Sequence, residues 1–205
     1  MKKKITLFAS VLLVMVWGTP RLCAVPTEND EAIPEVLKPA MNDYNVGLEH
    51  LKANRHTEAL ASFQKALLQA EAAKTSQART IASSAANNAG NLLMFQGKAP
   101  DAEKMYRRAA AADPHHALAI NNLGVVLLKQ GKLEEAVKTF ELAVKTDPGQ
   151  GRALNNLASL LLQAGNLKLA AKYLATSLKL NPQNQRQTLL LTARLYDKAG
   201  SKPEA

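Results

Sequence analysis

The sequence is short of the residues that staple or decorate small folds. Among its 205 residues Cys23 is the sole cysteine, so a disulfide framework is excluded. Aromatic residues make up 4% of the chain, with Trp17 the one tryptophan, which leaves little surface for stacking nucleic-acid bases. A single apolar run, from Ile5 to Trp17, is long enough to consider as a membrane segment, and a polytopic membrane protein is thereby ruled out. The motifs H-E-x-x-H, C-x-x-C and G-x-S-x-G do not occur. Acid is missing from the first 24 residues, where Lys2, Lys3, Lys4 and Arg21 stand. The rest of the chain holds 22 basic and 17 acidic residues, so most of the +9 net charge thins to a moderate, dispersed excess. That pattern speaks against nucleic acid as a partner.

What is present is an ordinary soluble composition, 47% apolar and 21% charged. The N-terminus reads as an address. Lys2–Lys4 precede the 13-residue run Ile5–Trp17, which as a helix spans about 20 Å against roughly 30 Å of bilayer hydrocarbon. Residues 1–24 are therefore expected to be a secretory signal peptide, broken at Gly18-Thr-Pro20 and cleaved after Ala24. Periplasm or secretion is the expected location. The alternative is a membrane-anchored accessory subunit of an envelope complex, held by an uncleaved N-terminus or by lipid on Cys23. Leu22 stands where a lipoprotein signal wants a small residue. Residues 25–39, with Glu28, Asp30, Glu31 and Glu35 among three prolines, are expected to be an exposed acidic tether.

Beyond residue 39 one motif is written several times. Pro114, Pro148 and Pro182 are 34 residues apart, and so are Gly97, Gly131 and Gly165, and Ala102, Ala136 and Ala170. The doublets Asn87-Asn88, Asn121-Asn122 and Asn155-Asn156 keep the same step. Within 117–150, Ile120, Leu123, Leu127 and Leu128 recur at helical spacing before Gly131. A second helix then carries Leu133, Ala136, Val137, Phe140, Ala143 and Val144 up to Pro148. The glycine supplies a tight turn and the proline a stop. Gly124 and Ala136 allow close approach of the two helices, and Phe140 fills the wedge between them.

This pattern resembles the tetratricopeptide repeat (TPR), in which small, aromatic and proline positions recur in a helix pair. The resemblance covers about residues 40–200. It implies an all-α, right-handed superhelical solenoid of stacked antiparallel helix pairs. Four repeats are expected, at 40–73, 83–116, 117–150 and 151–184, with an insertion at 74–82 read as longer helices. A C-terminal capping helix is expected within 185–205. The function implied is a non-enzymatic scaffold or adaptor, of the kind that assists pilus, secretion or polysaccharide-export assembly.

The candidate chemistry is correspondingly thin. Gly124…Gly131-Lys132 has six residues between the glycines where a phosphate loop needs four. His115-His116 with Asp113 sit in an inter-unit loop and read as solvated rather than metal-binding, and His50 and His56 have no ligand partner in reach of the pattern. Catalytic, metal and cofactor residues are expected to be none.

The binding candidates form a column: Asn45, Asn88, Asn122 and Asn156. The resemblance places this column on the concave groove, as in the similar repeat superhelix of O-linked N-acetylglucosamine transferase. There each amide could bond a peptide backbone. The competing reading is that the amides bond between neighbouring helices or face water. Asn91, Lys52, Gln96, Lys129, Arg152 and Gln163 are expected as polar groove walls, with Leu48, Leu51, Phe95, Val125, Leu128 and Leu162 as an apolar floor. Tyr44, Asn87 and Asn121 stand where the lysine of a carboxylate clamp would fall, which argues against such a clamp. The partner is expected to be a protein or peptide segment.

Overall fold

A computed structural model describes residues 33–180 and 185–200. The signal peptide read at 1–24 lies outside the described residues. Nine α-helices and no strand occur among the described residues. They are α1 (Lys38–Lys52), α2 (His56–Ala73), α3 (Ser76–Phe95), α4 (Ala99–Ala112), α5 (Ala117–Lys129), α6 (Leu133–Thr146), α7 (Gly151–Gln163), α8 (Leu167–Leu180) and α9 (Gln185–Ala199). The fold is an all-α solenoid of helix pairs.

Three-residue turns join the helices of each pair, and one hydrogen-bond device closes all four. In the α5–α6 turn, Gly131 sits at φ 77°. Its N–H bonds Leu128 O at 3.0 Å, while Lys132 N–H reaches back to Leu127 O at 3.0 Å. This satisfies two carbonyls that a helix end would otherwise orphan. Gly97 and Gly165 repeat the left-handed conformation, and the first pair does it with Asn54 at φ 57°. Between pairs, the Asp147 carboxylate accepts from Gly149 N–H at 2.9 Å across Pro148, and Asp113 does the same for His115.

Close packing within a pair rests on a complementary couple of side chains. A Cβ placed on Gly47, Gly90 or Gly124 would come within 2.7 Å, 2.7 Å and 2.6 Å of Phe63, Tyr106 and Phe140 respectively. The aromatic ring lies where that Cβ would be. In the fourth pair the corresponding residues are Ala158 and Leu174, both buried, so a larger first-helix residue faces a smaller second-helix one.

The extra residues between the first and second pairs are absorbed into helix. α2 has 18 residues against 14 in α4 and α6. α3 has 20 against 13 in α5 and α7. Every residue from Ile81 to Gly90 is buried. Their small side chains, mainly Ala, Ser and Asn, let neighbouring helices close around α3 on all sides.

The first helices of successive pairs (α1, α3, α5, α7, then α9) approach one another directly, more closely than the second helices do. The stack therefore curves with the first helices on its inner side.

Part of the expected tether is no tether. Glu35–Leu37 form a 3-10 turn leading straight into α1, with Pro39 in the first turn of that helix where a missing N–H costs nothing. Leu37 is completely buried in the core with Ala40, Tyr44 and Phe63. Residues 25–32 lie outside the described residues.

Candidate peptide groove

Asparagine doublets stand in the middle of the first helices, where an unpartnered amide is mildly unfavourable. The structure shows where their bonds go. Asn122 Nδ2 donates to Asn87 Oδ1 at 2.9 Å and to Asn91 Oδ1 at 3.2 Å. Asn156 Nδ2 donates to Asn121 Oδ1 at 3.0 Å. Asn88 Nδ2 donates to Tyr44 Oη at 3.1 Å. In each case the second Asn position of one first helix donates to the position one residue earlier in the preceding first helix. The interval is 35 residues, widened to 44 across the insertion. The doublets thus stitch neighbouring pairs together along the inner side. Asn155 closes the series, bonding Thr188 of α9 through both amide atoms at 2.9 and 3.1 Å.

Most of the expected peptide ladder is therefore internal. Asn88 is 3% exposed, and Asn122 and Asn156 are half-buried, Asn122 donating twice and Asn156 once to the preceding first helix. Only Asn45 of that column is exposed. Asn91 is half-buried, its oxygen receiving both Asn122 and the Tyr106 hydroxyl at 2.8 Å. Burial pushes the Tyr106 hydroxyl above the ordinary phenol range, so it remains a donor at any physiological pH. The doublet itself was the available signal, since two adjacent columns at one step can pair across units.

The remaining polar candidates stay on the surface. Lys52, Lys129 and Gln163 are the last residues of α1, α5 and α7, and Gln96 directly follows α3; all are exposed. Arg152, in the first turn of α7, is exposed as well. Lys52 Nζ pairs with Glu49 at 2.8 Å, and that hydrogen bond holds the Glu49 carboxyl below its usual range. The apolar floor is only partly a floor. Leu51 and Leu162 are buried in the packing, whereas Leu48, Val125 and Leu128 are half-buried. Phe95 is 60% exposed, with the His56 ring edge-on at 4.8 Å.

One of the inter-unit histidines differs from expectation too. His115 is exposed, but His116 packs against Ser83, with Nδ1 at 2.6 Å from Oγ. Ser83 Oγ donates its one proton to Ala109 O at 2.9 Å, so the His116 ring must carry its hydrogen on Nδ1 and donate to Oγ. Burial lowers the His116 pKa, with Asp113 opposing. Ser83 is fully buried and its hydroxyl committed, which makes the pair a structural clasp between α3 and the α4–α5 loop rather than a nucleophile and base. Among the described residues no group of His, Cys, Asp and Glu is arranged to hold a metal ion, and no helix is long and apolar enough to cross a membrane.

Residues 87–151 and residues 151–184 each match a family model of the tetratricopeptide repeat. No curated protein matches the sequence. Solved structures do. The protein pilF of Pseudomonas aeruginosa is 25% identical, with a TM-score of 0.67 over 82% of this chain and 72% of that one. A tetratricopeptide repeat protein from Parabacteroides merdae is 18% identical, with a TM-score of 0.66 over 79% of this chain and 60% of the other. YrrB, described as a TPR protein with an unusual peptide-binding site, is 20% identical, with a TM-score of 0.57 over 79% of this chain and 87% of the other. The pair α1–α2 precedes the matched region but carries the same Gly47–Phe63 couple and the same turn. On the repeat matches, the shared solenoid and the packing couple common to its pairs, this chain belongs to the tetratricopeptide repeat family.

Proposed function

We propose that the protein is a non-enzymatic scaffold, exported to the bacterial periplasm, that holds an extended segment or a helix of a partner protein against its inner face. The observation that carries this reading is a column at one position of the repeat. Lys52, Phe95, Lys129 and Gln163 stand at the ends of four successive first helices, and all four are exposed. The helices α3, α5 and α7 contain no Asp or Glu, so the inner wall is free of acid from Phe95 to Gln163, while Lys52 at the first helix end is paired with Glu49. A partner segment bearing acidic side chains suits that wall, with Phe95 as an apolar anchor. The peptide-binding site named for YrrB supports a peptide as the kind of ligand this fold can take. Recognition falls on the helix ends, because Asn88, Asn122 and Asn156 bond between neighbouring first helices.

Export rests on Lys2–Lys4 and the apolar run to Trp17. Assembly of a pilus, a secretion machine or a polysaccharide exporter is the kind of process such a scaffold serves. The test is a charge reversal in the column, Lys52→Glu with Lys129→Glu, beside a control on α6, Lys138→Glu with Lys145→Glu. Partners recovered from the cell envelope with the tagged chain should be lost with the first pair and kept with the second. Equal recovery from both would overturn the inner-face reading.

A further inference from the structure

The insertion between the first and second pairs builds a feature that the regular junctions lack. Where α4 passes to α5, and α6 to α7, a short loop with Asp-Pro joins the pairs. The passage from α2 to α3 takes only Lys74 and Thr75, and both helices run on past the period. Matched at their starts, α2 outruns α4 by residues 70–73; matched at their ends, α3 outruns α5 by residues 76–82. The end of α4 stands against these extra turns, and between them lies a cleft of about 480 Å³, within the span of small-ligand pockets. Six of its nine lining residues belong to 70–82, and the others are Arg108, Ala111 and Ala112 of α4. The cleft is a product of the insertion.

Its floor is alanine and its walls are cationic. Ala70, Ala78 and Ala82 are buried beneath it, and a methyl at each leaves room that a longer side chain would fill. Glu71 is the one acid in the lining, and its carboxylate is spent. Arg108 Nε donates to Glu71 Oε1 at 3.2 Å and Arg108 Nη2 to Oε2 at 2.5 Å, from α4 across to α2. This two-point pair fixes the Arg108 guanidinium and leaves its Nη1 donors unused. Lys74 and Arg79 are exposed, and their side chains bond no group among the described residues. Asp113, just beyond α4, is engaged with His115 N–H. Three cations thus surround one neutralised acid. They come from the α2–α3 corner, the first turn of α3 and the later part of α4, which suits several carboxylates on one segment better than a single small anion.

We propose that this cleft binds an extended acidic segment of a partner protein, one that alternates Asp or Glu with small residues. The carboxylates meet Lys74, Arg79 and Arg108, and the small side chains, which point the other way along an extended chain, lie on the alanine floor. The site is separate from the inner column and does not depend on it. Arg79 and Phe95 are sixteen residues apart on α3, about 24 Å of helix rise.

A short labelled peptide of alternating glutamate and alanine, blocked at both ends, tests this against the full chain. Its binding should weaken about tenfold or more with Lys74→Glu and Arg79→Glu together. It should weaken comparably with Ala111→Trp, which fills the cleft from an exposed position and leaves the charge unchanged. Two control pairs carry the same charge change elsewhere: Lys138→Glu with Lys145→Glu on α6, and Lys52→Glu with Lys129→Glu in the inner column. Both should keep binding within about twofold, since charges beyond a Debye length are screened. Far-UV dichroism checks the fold of each variant. The glutamine counterpart of the peptide should not bind. Absence of binding, binding indifferent to Ala111→Trp, equal binding of the glutamine peptide, or loss through the column pair alone would overturn the proposal. Binding gained only after Glu28, Asp30 and Glu31 become Gln would overturn it too, since the chain's own acids would then be the occupant. Self-association that Lys74→Glu with Arg79→Glu abolishes would do the same in favour of a second copy.

Discussion

At the scale of single residues, Gly124 and Phe140 act as one lock. Gly124→Ala should destabilise the chain by about 1–3 kcal/mol, because the ring must shift to admit a Cβ. Adding Phe140→Leu should recover part of that loss by recreating the Ala158–Leu174 couple. Urea unfolding of both variants measures this, and a double variant as unstable as the sum of its singles would refute the couple. Asn122→Ala carries a second residue-scale prediction. If that amide lined a groove, its removal would leave stability unchanged. As it instead bonds Asn87 and Asn91, its loss should cost about 1–3 kcal/mol and be visible in the same measurement. His116 gives a third. Its folded pKa lies below the ordinary value, so the unfolded chain binds the proton more readily. Stability should be full above the unfolded value of about 6.5 and fall as pH drops below it. In His116→Gln that part of the pH dependence should disappear, which denaturant titrations at pH 7.5 and 5 would show.

At the scale of elements, the helices and their turns were largely legible. Gly131, Pro148 and Phe140 each have a role that follows from their own chemistry, and their 34-residue step marks the pairs. The features that local sequence left open or missed depend on distant chain. Asn88, Asn122 and Asn156 look alike whether they face a ligand or a neighbour. Only the packing of one first helix on the next brings each to a partner 35 or 44 residues away. His116 reads as a loop residue until α3 brings Ser83 beside it. Leu37 sits between Pro34 and Pro39 and looks like linker, although proline is well tolerated in a first helical turn. The second helices α4 and α6 add a cross-pair link that local sequence does not reveal. Glu103 accepts from Arg107 on its own helix and from Lys132 in the turn just before α6 of the next pair. Burial works against its charge, but the hydrogen bonds from Lys132 and Arg107 outweigh it and hold the pKa at about 2. The link is therefore fully present above about pH 4.5 and lost as pH falls towards 2. Glu103→Gln should flatten the acid limb of stability in that window, as read by urea midpoints.

At the scale of the whole molecule, neighbouring pairs share both packing and asparagine bonds, so damage should spread along the stack. Phe140→Ala should cost about 3–5 kcal/mol and lower hydrogen-exchange protection jointly from α5 to α9. Loss confined to α5 and α6 would show that the pairs unfold independently. The charge is also a property of the whole, near balance over the first three pairs and basic from α7 onward.

On the proposed function, the helix-end column meets the partner while the asparagines hold the solenoid. Photo-crosslinking in living cells, with the probe placed in turn at positions 95, 129, 122 and 138, tests this directly. A discrete adduct is expected from 95 and 129, and none from the interhelical position 122 or the outer position 138. An adduct from 122 with none from 95 or 129 would contradict it and return the asparagines to the binding surface.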